Sequence, residues 1–565
     1  MNILGLNILN HDTSATLMNN SKVIGMVEEE RFTRNKHEKK FPINSIEYLL
    51  KKGKLSIDDI DIITVPYNPG LGLFYLFKYC LTNITKFSLF FIRHLYKEMT
   101  FKNKIKKIID REFKKKNLIL NKKYKIFFFE HHLCHAASAY FTSPFDESAI
   151  ISWDGRGQWA WFLGGVGKNG KIKIIKKEYI PNSLGQLYES FTHLLGFTDW
   201  GDEYKLMGLS AYGKNKYSTL LNDIVSFQNS AVKINLSKWK LIPTESSREN
   251  LYNISSEEIS KFRRKKHELI SQKHMDLACS LQTKINDIAL EIAKNLFTLT
   301  KTKNLCITGG IAQNILINQN IYRITGFKNI FVQPASHDGG LSLGGALLAR
   351  NLRKNKKFIM KHTYWGPDYS KKEIKKELII QKIKFKKIKN VTKTTAEIIS
   401  KGKIVGWFQG RSEFGPRSLG NRCILADARK KEMKNKVNKI IKFRESFRPF
   451  APSVIEEDFK TYFENAPENQ FMTFSANVKK DKRNIVPAIT HIDGTARPQI
   501  VYKKNAKKFW KLIKEFKKLT GVGLLLNTSF NVKGEPIVNS PKDAINCFLS
   551  SGLDYLILDD FLIAK

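Results

Sequence analysis

The sequence predicts an α/β protein of more than one domain, and three observations predict it. Short apolar runs suited to strands alternate with helix-period stretches along the chain. Several of those runs end in a glycine turn that opens a helix, as in KNLCITGG (303–310) and NIFVQPASHDGG (329–340). The length, 565 residues, exceeds what one core organises, so two or three domains are expected.

The elements follow in order. ILGLNIL (3–9) reads as a strand, HDTS (11–14) as a turn, and ATLMNNSKVIGMVEEER (15–31) as a strand hairpin through NNSK. A helix is expected near 43–53. KIFFFE (125–130) reads as a short buried strand, HHLCHAASAYFTS (131–143) as a helix, and SAIISW (148–153) as a strand ending in Asp154. WAWFLGGVGKNGKIKIIKKEYI (159–180) predicts two strands paired through KNGK. Residues 182–300 read as mostly helical, and LSLGGALLARN (341–351) as a helix. A boundary is expected near 353–372, where RKNKKFIMKH is patternless and WGPDYS is turn-rich. This gives a first domain over 1–355, a linker over 356–371 and a second domain over 372–565, with strands in KIVGWFQG (403–410) and GVGLLLNTSF (521–530). No internal repeat is visible in the sequence.

The formal net charge is +44, which admits nucleic acid, an acidic membrane surface or a solvated surface. Lysine outnumbers arginine about four to one, a drift toward lysine rather than a surface of arginine forks that reads phosphates. FYLFKYCLTNITKFSLFFIRHLY (74–96) is apolar, but Lys78, Lys86 and Arg93 interrupt it, so it fails as a membrane span. It is expected to form a helical insertion packed on the domain. The basic tract after it, FKNKIKKIIDREFKKKN (101–117), offers an anionic membrane or lipid-linked glycan contact. The six scattered cysteines form no CxxC pair, and the start shows no basic segment leading into an apolar one. No signal peptide is expected, and a cytoplasmic setting is.

His131 and His135, four apart, share one helix face and can present two imidazoles to one metal; His132 points elsewhere. Asp154 closes a strand and Asp338 follows another, and ligands gather at the carboxyl ends of strands in open α/β sheets. Two His and two Asp suit Fe2+, Zn2+ or Mn2+ with open positions. The same HxxxH pattern also occurs as a polar helix start. Gly309, Gly310 and Asn314 in TGGIAQN, with Gly339 and Gly340 in HDGGLSLGG, sit between strand and helix, where backbone N–H groups hold phosphate.

Taken together, MNILGLNILNHDTSATLM, VEEERFTRNKHEKKFP, HHLCHAASAYFTSPF, EYKLMGLSAYG, TGGIAQN and HDGGLSLGGA resemble the NodU/CmcH-type O-carbamoyltransferases. So do GRSEFGPRSLGNRCILADAR, KFRESFRPFAPSV, HIDGTARPQ and NTSFNVKGEPIV. The resemblance spans nearly the whole chain in order. It implies an actin-like (ribonuclease-H-like) two-lobed first domain that transfers the carbamoyl group and holds the metal. It implies an α+β YrdC-like second domain that forms carbamoyl-adenylate from carbamoyl phosphate and ATP, with Mg2+ accompanying the nucleotide. The metal ligands on that pattern are His131, His135, Asp154 and Asp338. One departure is Arg156-Gly157-Gln158, where the family pattern carries a small residue and an acid.

Six arginines fall between 411 and 448: Arg411, Arg417, Arg422, Arg429, Arg444 and Arg448. In a lysine-drifted chain, retained arginines point to bidentate recognition of phosphate or to structural salt bridges. Lys442 adds a point charge. By resemblance Lys442, Arg444 and Arg448 match the basic motif of YrdC-like sites, and Ser529 and Asn531 its nucleotide-facing segment; Arg417 and Arg497 are further candidate contacts. His11 and Asp12 follow the first strand, with His11 the candidate general base. Glu203 and Lys205 are candidates for lining the same cleft. The expected activity is ATP-dependent carbamoyl transfer to a hydroxyl of a sugar, glycan or natural product. The alternatives are a tRNA threonylcarbamoyl-transfer-type enzyme, or a non-catalytic protein that binds nucleic acid or a membrane surface through 74–125.

Overall fold

The computed structural model describes residues 1–565 except 9, 21, 72–87, 119–122, 242–251, 254–256 and 353–356. Part of the apolar segment 74–96 and the start of the expected boundary therefore lie outside the described residues.

The first sheet has five strands: β1 (Asn2–Asn7), β2 (Ser14–Asn19), β3 (Lys22–Glu28), β4 (Ile62–Val65) and β5 (Lys125–Phe128), in the order β3-β2-β1-β4-β5. β1, β2 and β3 pair antiparallel, and β4 and β5 add in parallel. The central β1 is buried nearly throughout, and its middle residues Ile3–Leu6 are all apolar, as suits a strand covered on both faces. The second sheet repeats this plan. β6 (Glu147–Gly157), β7 (Ala160–Lys168) and β8 (Lys171–Tyr179) are antiparallel, and β9 (Asn304–Thr308) and β10 (Asn329–Val332) add in parallel, in the order β10-β9-β6-β7-β8. The chain thus carries a repeat that its sequence hides. It is a repeat of topology, the two-lobed ribonuclease-H-like duplication of the actin-like fold. What is shared is strand order, which different apolar residues satisfy equally well.

Helices α1 (Ile43–Gly53) and α2 (Ser88–Lys115) cover the first sheet. α2 turns Phe101, Ile105, Ile109 and Phe113 onto that core, every fourth residue on one face. Burial of each contributes roughly 2 kcal/mol. α3 (His131–Tyr140) follows β5, yet it lies on the second sheet: His132 bonds Ser152 Oγ at 2.8 Å and the Ala160 carbonyl at 3.1 Å. α4 (Glu203–Leu209), α5 (Gln272–Thr300) and α6 (Ile315–Ile324) flank the second sheet. α7 (Leu341–Asn351) follows β10, yet it lies on the first: Ser342 Oγ bonds Ser14 and Thr16 at 2.9 Å each. The last helix of each lobe has crossed to the other sheet.

The remainder is α+β. Strands β11 (Lys386–Lys387), β12 (Val405–Phe408), β13 (Arg422–Ala426), β14 (Ala451–Ile455), β15 (Gln499–Val501), β16 (Leu524–Ser529), β17 (Tyr555–Leu558) and β18 (Phe561–Ala564) form one mixed sheet, ordered β11-β18-β17-β12-β13-β16-β14-β15.

Three expectations need correction. KIFFFE is only half-buried, because β5 is the edge of its sheet. The strand expected to end at Asp154 continues to Gly157, with its pairing to β7 broken between Trp153 and Gly157. The helical region 182–300 contains a short hairpin, Val225–Gln228 with Ala231–Ile234. Among the described residues, no helix is long and apolar enough to cross a membrane.

Candidate active site

His131 and His135 stand on the first two turns of α3, on one face as their spacing requires. Asp154 sits in the break of the β6–β7 ladder, where the bulge turns its side chain out of the sheet. Asp338 precedes α7. The four meet. His135 Nε2 is 3.3 Å from Asp154 Oδ2 and 3.6 Å from Asp338 Oδ1, and His131 Nε2 is 3.9 Å and 3.6 Å from the same two atoms. Such separations are those of donors around one cation with bonds of about 2.0–2.2 Å. His131 Nε2, His135 Nε2 and Asp154 Oδ2 are all buried without a hydrogen-bond partner. Buried polar atoms left this way are costly, and a shared cation satisfies all three at once. The residues present fit a metal of the N/O class.

His132 does point elsewhere. Burial, then the neighbouring His131 and His135, hold it well below the usual histidine range, so it stays neutral and ties α3 to the second sheet.

His11 approaches from the other sheet. Its Nδ1 bonds Asp12 Oδ2 at 2.7 Å, which leaves Nε2 facing the centre, 3.7 Å from Asp338 Oδ2. Its ring packs on Trp200, with centroids 4.3 Å apart. Asp12, at φ +55°, adopts the left-handed conformation that Asp tolerates, and its second oxygen takes a 2.7 Å bond from His37. Burial works against its charge, yet the bonds from His11 and His37 hold Asp12 well below the usual carboxylate range.

The second set of candidates converges in the α+β part. Lys442 ends a π-helical turn, Asn438–Lys442, and is followed by left-handed Phe443, so that Phe443 is exposed while Lys442 is buried. Lys442 Nζ donates to the Ser529 carbonyl and Oγ and to the Asn531 carbonyl and Oδ1, at 2.5–3.2 Å. Burial, then Arg444, push its amine well below the usual lysine range. Arg417, Arg444 and Arg497 lie with Arg448 in one like-charged group. Burial and then Arg448 bring Arg417 down to about 10 and Arg444 to about 9. Burial, then the other three, push Arg497 well below its usual range. The one carboxylate in salt-bridge range of this group is Glu445, 3.6 Å from Arg448, among the described residues. Four crowded guanidinium groups short of acids make a receptor for a polyanion.

Two matches with known proteins decide the family. The carbamoyltransferase N-terminus model matches residues 2–347, and the carbamoyltransferase C-terminus model matches 396–565. The chain belongs to the carbamoyltransferase family. It is 37% identical over 569 residues to nodulation protein NolNO of Sinorhizobium fredii, covering 99% of this chain and 80% of that one. It is 34% identical over 605 residues to an uncharacterized Synechocystis protein, covering 100% and 96%. Nodulation protein U of Rhizobium fredii is 29% identical, over 72% of this chain and 70% of its own.

Within this carbamoyltransferase the other arginines serve the fold. Arg422 is fully buried against the carbonyls of Gln409 and Gly410 and the Phe408 ring. Arg429 grips Asp427 through two nitrogens, and Arg411 bonds the Gly366 and Ile24 carbonyls. Structural bonding therefore accounts for three of the six arginines between 411 and 448. The glycines divide too. Gly309, at φ +89°, has the Trp153 carbonyl where a Cβ would stand, and a Cβ on Gly310 would lie 2.8 Å from Asp154 Oδ1, so this turn frames Asp154. A Cβ on Gly339 would strike Glu28 and His337, and one on Gly340 the Ala335 carbonyl. The Asn314 side chain caps α6 through Leu316 and Ile317 N–H and also donates to Gln282. Lys205 is paired with Asp202 at 2.7 Å and lies 3.9 Å from Glu445, so α4 reaches the arginine pocket; its neighbour Tyr204 lies under Arg448.

Sequence reasoning missed Gly157, His37 and a buried ionic chain. A Cβ on Gly157 would stand 2.2 Å from the His131 ring. The chain runs from His337 Nε2 to Glu28 (2.7 Å), from Glu28 to Arg31 (2.8 Å), and from Arg31 to the Gly415 carbonyl (2.7 Å). The sequence signals present were the EEER and HDGG motifs, with nothing to pair them.

Proposed function

We propose that the enzyme carbamoylates a hydroxyl of a sugar, glycan or natural product in two steps. In the first, carbamoyl phosphate and water give carbamate and phosphate. A carbamate oxygen then attacks the α-phosphorus of ATP, pyrophosphate leaves, and carbamoyl-adenylate results. Two anions must meet in this step, and the pocket of Arg417, Arg444, Arg448 and Arg497 beside Lys442 offsets their repulsion. Mg2+ accompanies the nucleotide. In the second, the acceptor oxygen attacks the carbamoyl carbon, AMP leaves, and the hydroxyl proton passes to His11 Nε2. Asp12 orients His11 through the 2.7 Å bond to Nδ1. His131, His135, Asp154 and Asp338 would hold Fe2+, with Zn2+ or Mn2+ as alternatives, which supplies Lewis-acid polarisation when bound.

The observation that carries this reading is the coexistence of an acid-poor arginine pocket and a separate His/Asp centre in one carbamoyltransferase chain. The test measures pyrophosphate release and carbamoylated product side by side. Arg448→Ala is expected to abolish both. Asp154→Ala is expected to retain pyrophosphate release and lose product. Loss of both signals in a folded Asp154→Ala protein overturns the division of labour.

A further inference from the structure

The outward face of α2 is built differently from the rest of this basic surface. Residues 102–116 hold eight lysines and arginines against two acids, and all eight are exposed. Lysine drift accounts for charge of this kind. It does not account for Tyr96 and Met99, which are 71% and 69% exposed on the same helix. With Phe101, Ile105, Ile109 and Phe113 facing the core, the 100° step per residue sets Tyr96, Met99, Asn103, Lys107, Asp110, Arg111 and Lys114 along the opposite line. An apolar end thus runs into a cationic end on one face. Glu112 pairs with Arg111 and Lys115, and Glu47 with Lys116. Among the described residues, the ion pairs of this tract involve Arg111, Lys115 and Lys116 and leave out Lys104, Lys106, Lys107 and Lys114.

We infer that this face docks the enzyme on an anionic lipid bilayer, with the lysines at the headgroups and Tyr96 and Met99 in the interfacial layer. The chemistry matches: compact ammonium groups attract anionic headgroups, and a Tyr ring favours the water–hydrocarbon boundary. A nucleic-acid groove would favour arginine forks, and residues 102–116 hold one arginine among eight cations. The docking face stands apart from the catalytic reading, because none of these residues belongs to either site.

The test is flotation of the full chain with vesicles of phosphatidylcholine, with and without about one-third phosphatidylserine. Binding is expected only to the anionic vesicles. It should weaken steeply from about 0.15 M to about 1 M salt, as the screening length falls from about 8 Å to about 3 Å. Replacing Lys104, Lys106, Lys107 and Lys114 by Gln should lower it more than about tenfold. Tyr96→Ser with Met99→Ser should lower it further while leaving turnover on a soluble acceptor unchanged. Equal binding to neutral vesicles, no binding at all, or no response to either set of substitutions overturns the proposal. Tighter retention of single-stranded RNA than of anionic vesicles, lost in the Gln variant, assigns the face to nucleic acid instead.

Discussion

Gly157 lacks a side chain because the His131 imidazole occupies that volume. Gly157→Ala should therefore push His131 off its position and lower bound metal, while circular dichroism stays native. Elemental analysis of purified protein checks it, with His135→Ala as the reference for a lost ligand. Comparable metal in wild type and His135→Ala would remove the ligand assignment itself. At this scale the sequence was informative where the cue was local. The His131/His135 spacing follows from helix periodicity, and the four residues do meet, although Asp154 lies inside its strand rather than at its end. Gly157 was not legible, since its reason for being glycine lies on a different element. Arg422 and Arg417 look alike in sequence, and only their neighbours, carbonyls for one and guanidinium groups for the other, separate them.

Among the elements, α3 and α7 decide where His131, His135 and Asp338 stand, and they cross closely. A Cβ on Gly344 would lie 1.8 Å from the Cys134 carbonyl, and one on Gly345 would lie 2.6 Å from Thr64 Oγ1. The glycines of LSLGGALL thus serve helix packing. Gly344→Ala should destabilise the first domain by about 3 kcal/mol, since backbone cannot yield as a flexible side chain would. A urea titration measures it; an unchanged midpoint would mean that the crossing is looser than described. Helix and strand positions were mostly readable because apolar period and glycine punctuation are local. The irregularity that turns Asp154 out was not, since a bulge depends on the partner strand.

Across the whole molecule, the buried chain His337–Glu28–Arg31–Gly415 joins the segment holding Asp338 to the loop holding Arg417. Burial opposes the charge of Glu28, yet Arg31 and His337 hold its carboxyl at about 2, below its ordinary 4.5. A depressed carboxylate stabilises the fold above about 4.5, and that contribution is lost as the pH falls through about 2. Arg31→Met removes most of the depression, so acid unfolding monitored by circular dichroism should move to higher pH. Stability near neutrality should drop by about 3–5 kcal/mol, the cost of a buried charge left unpaired. An unshifted acid midpoint would show that His337 alone sustains Glu28. Arg31 and Gly415 are 384 residues apart, a distance over which no periodicity speaks. For the same reason the doubled strand order of the two lobes could be seen only in three dimensions.

The exchange of last helices between lobes has a kinetic side. α3 is anchored to the second sheet through Ser152 and Ala160, so His131 and His135 travel with Asp154. α7 is anchored to the first through Ser14 and Thr16, so Asp338 travels with His11 and Asp12. Three donors ride one lobe and the fourth rides the other. A motion that parted the sheets would open one side of this His/Asp cluster and leave the rest intact. With a metal bound there, the rate at which a chelator removes it would serve as a clock for interlobe opening, and a ligand that bridges the lobes should slow it.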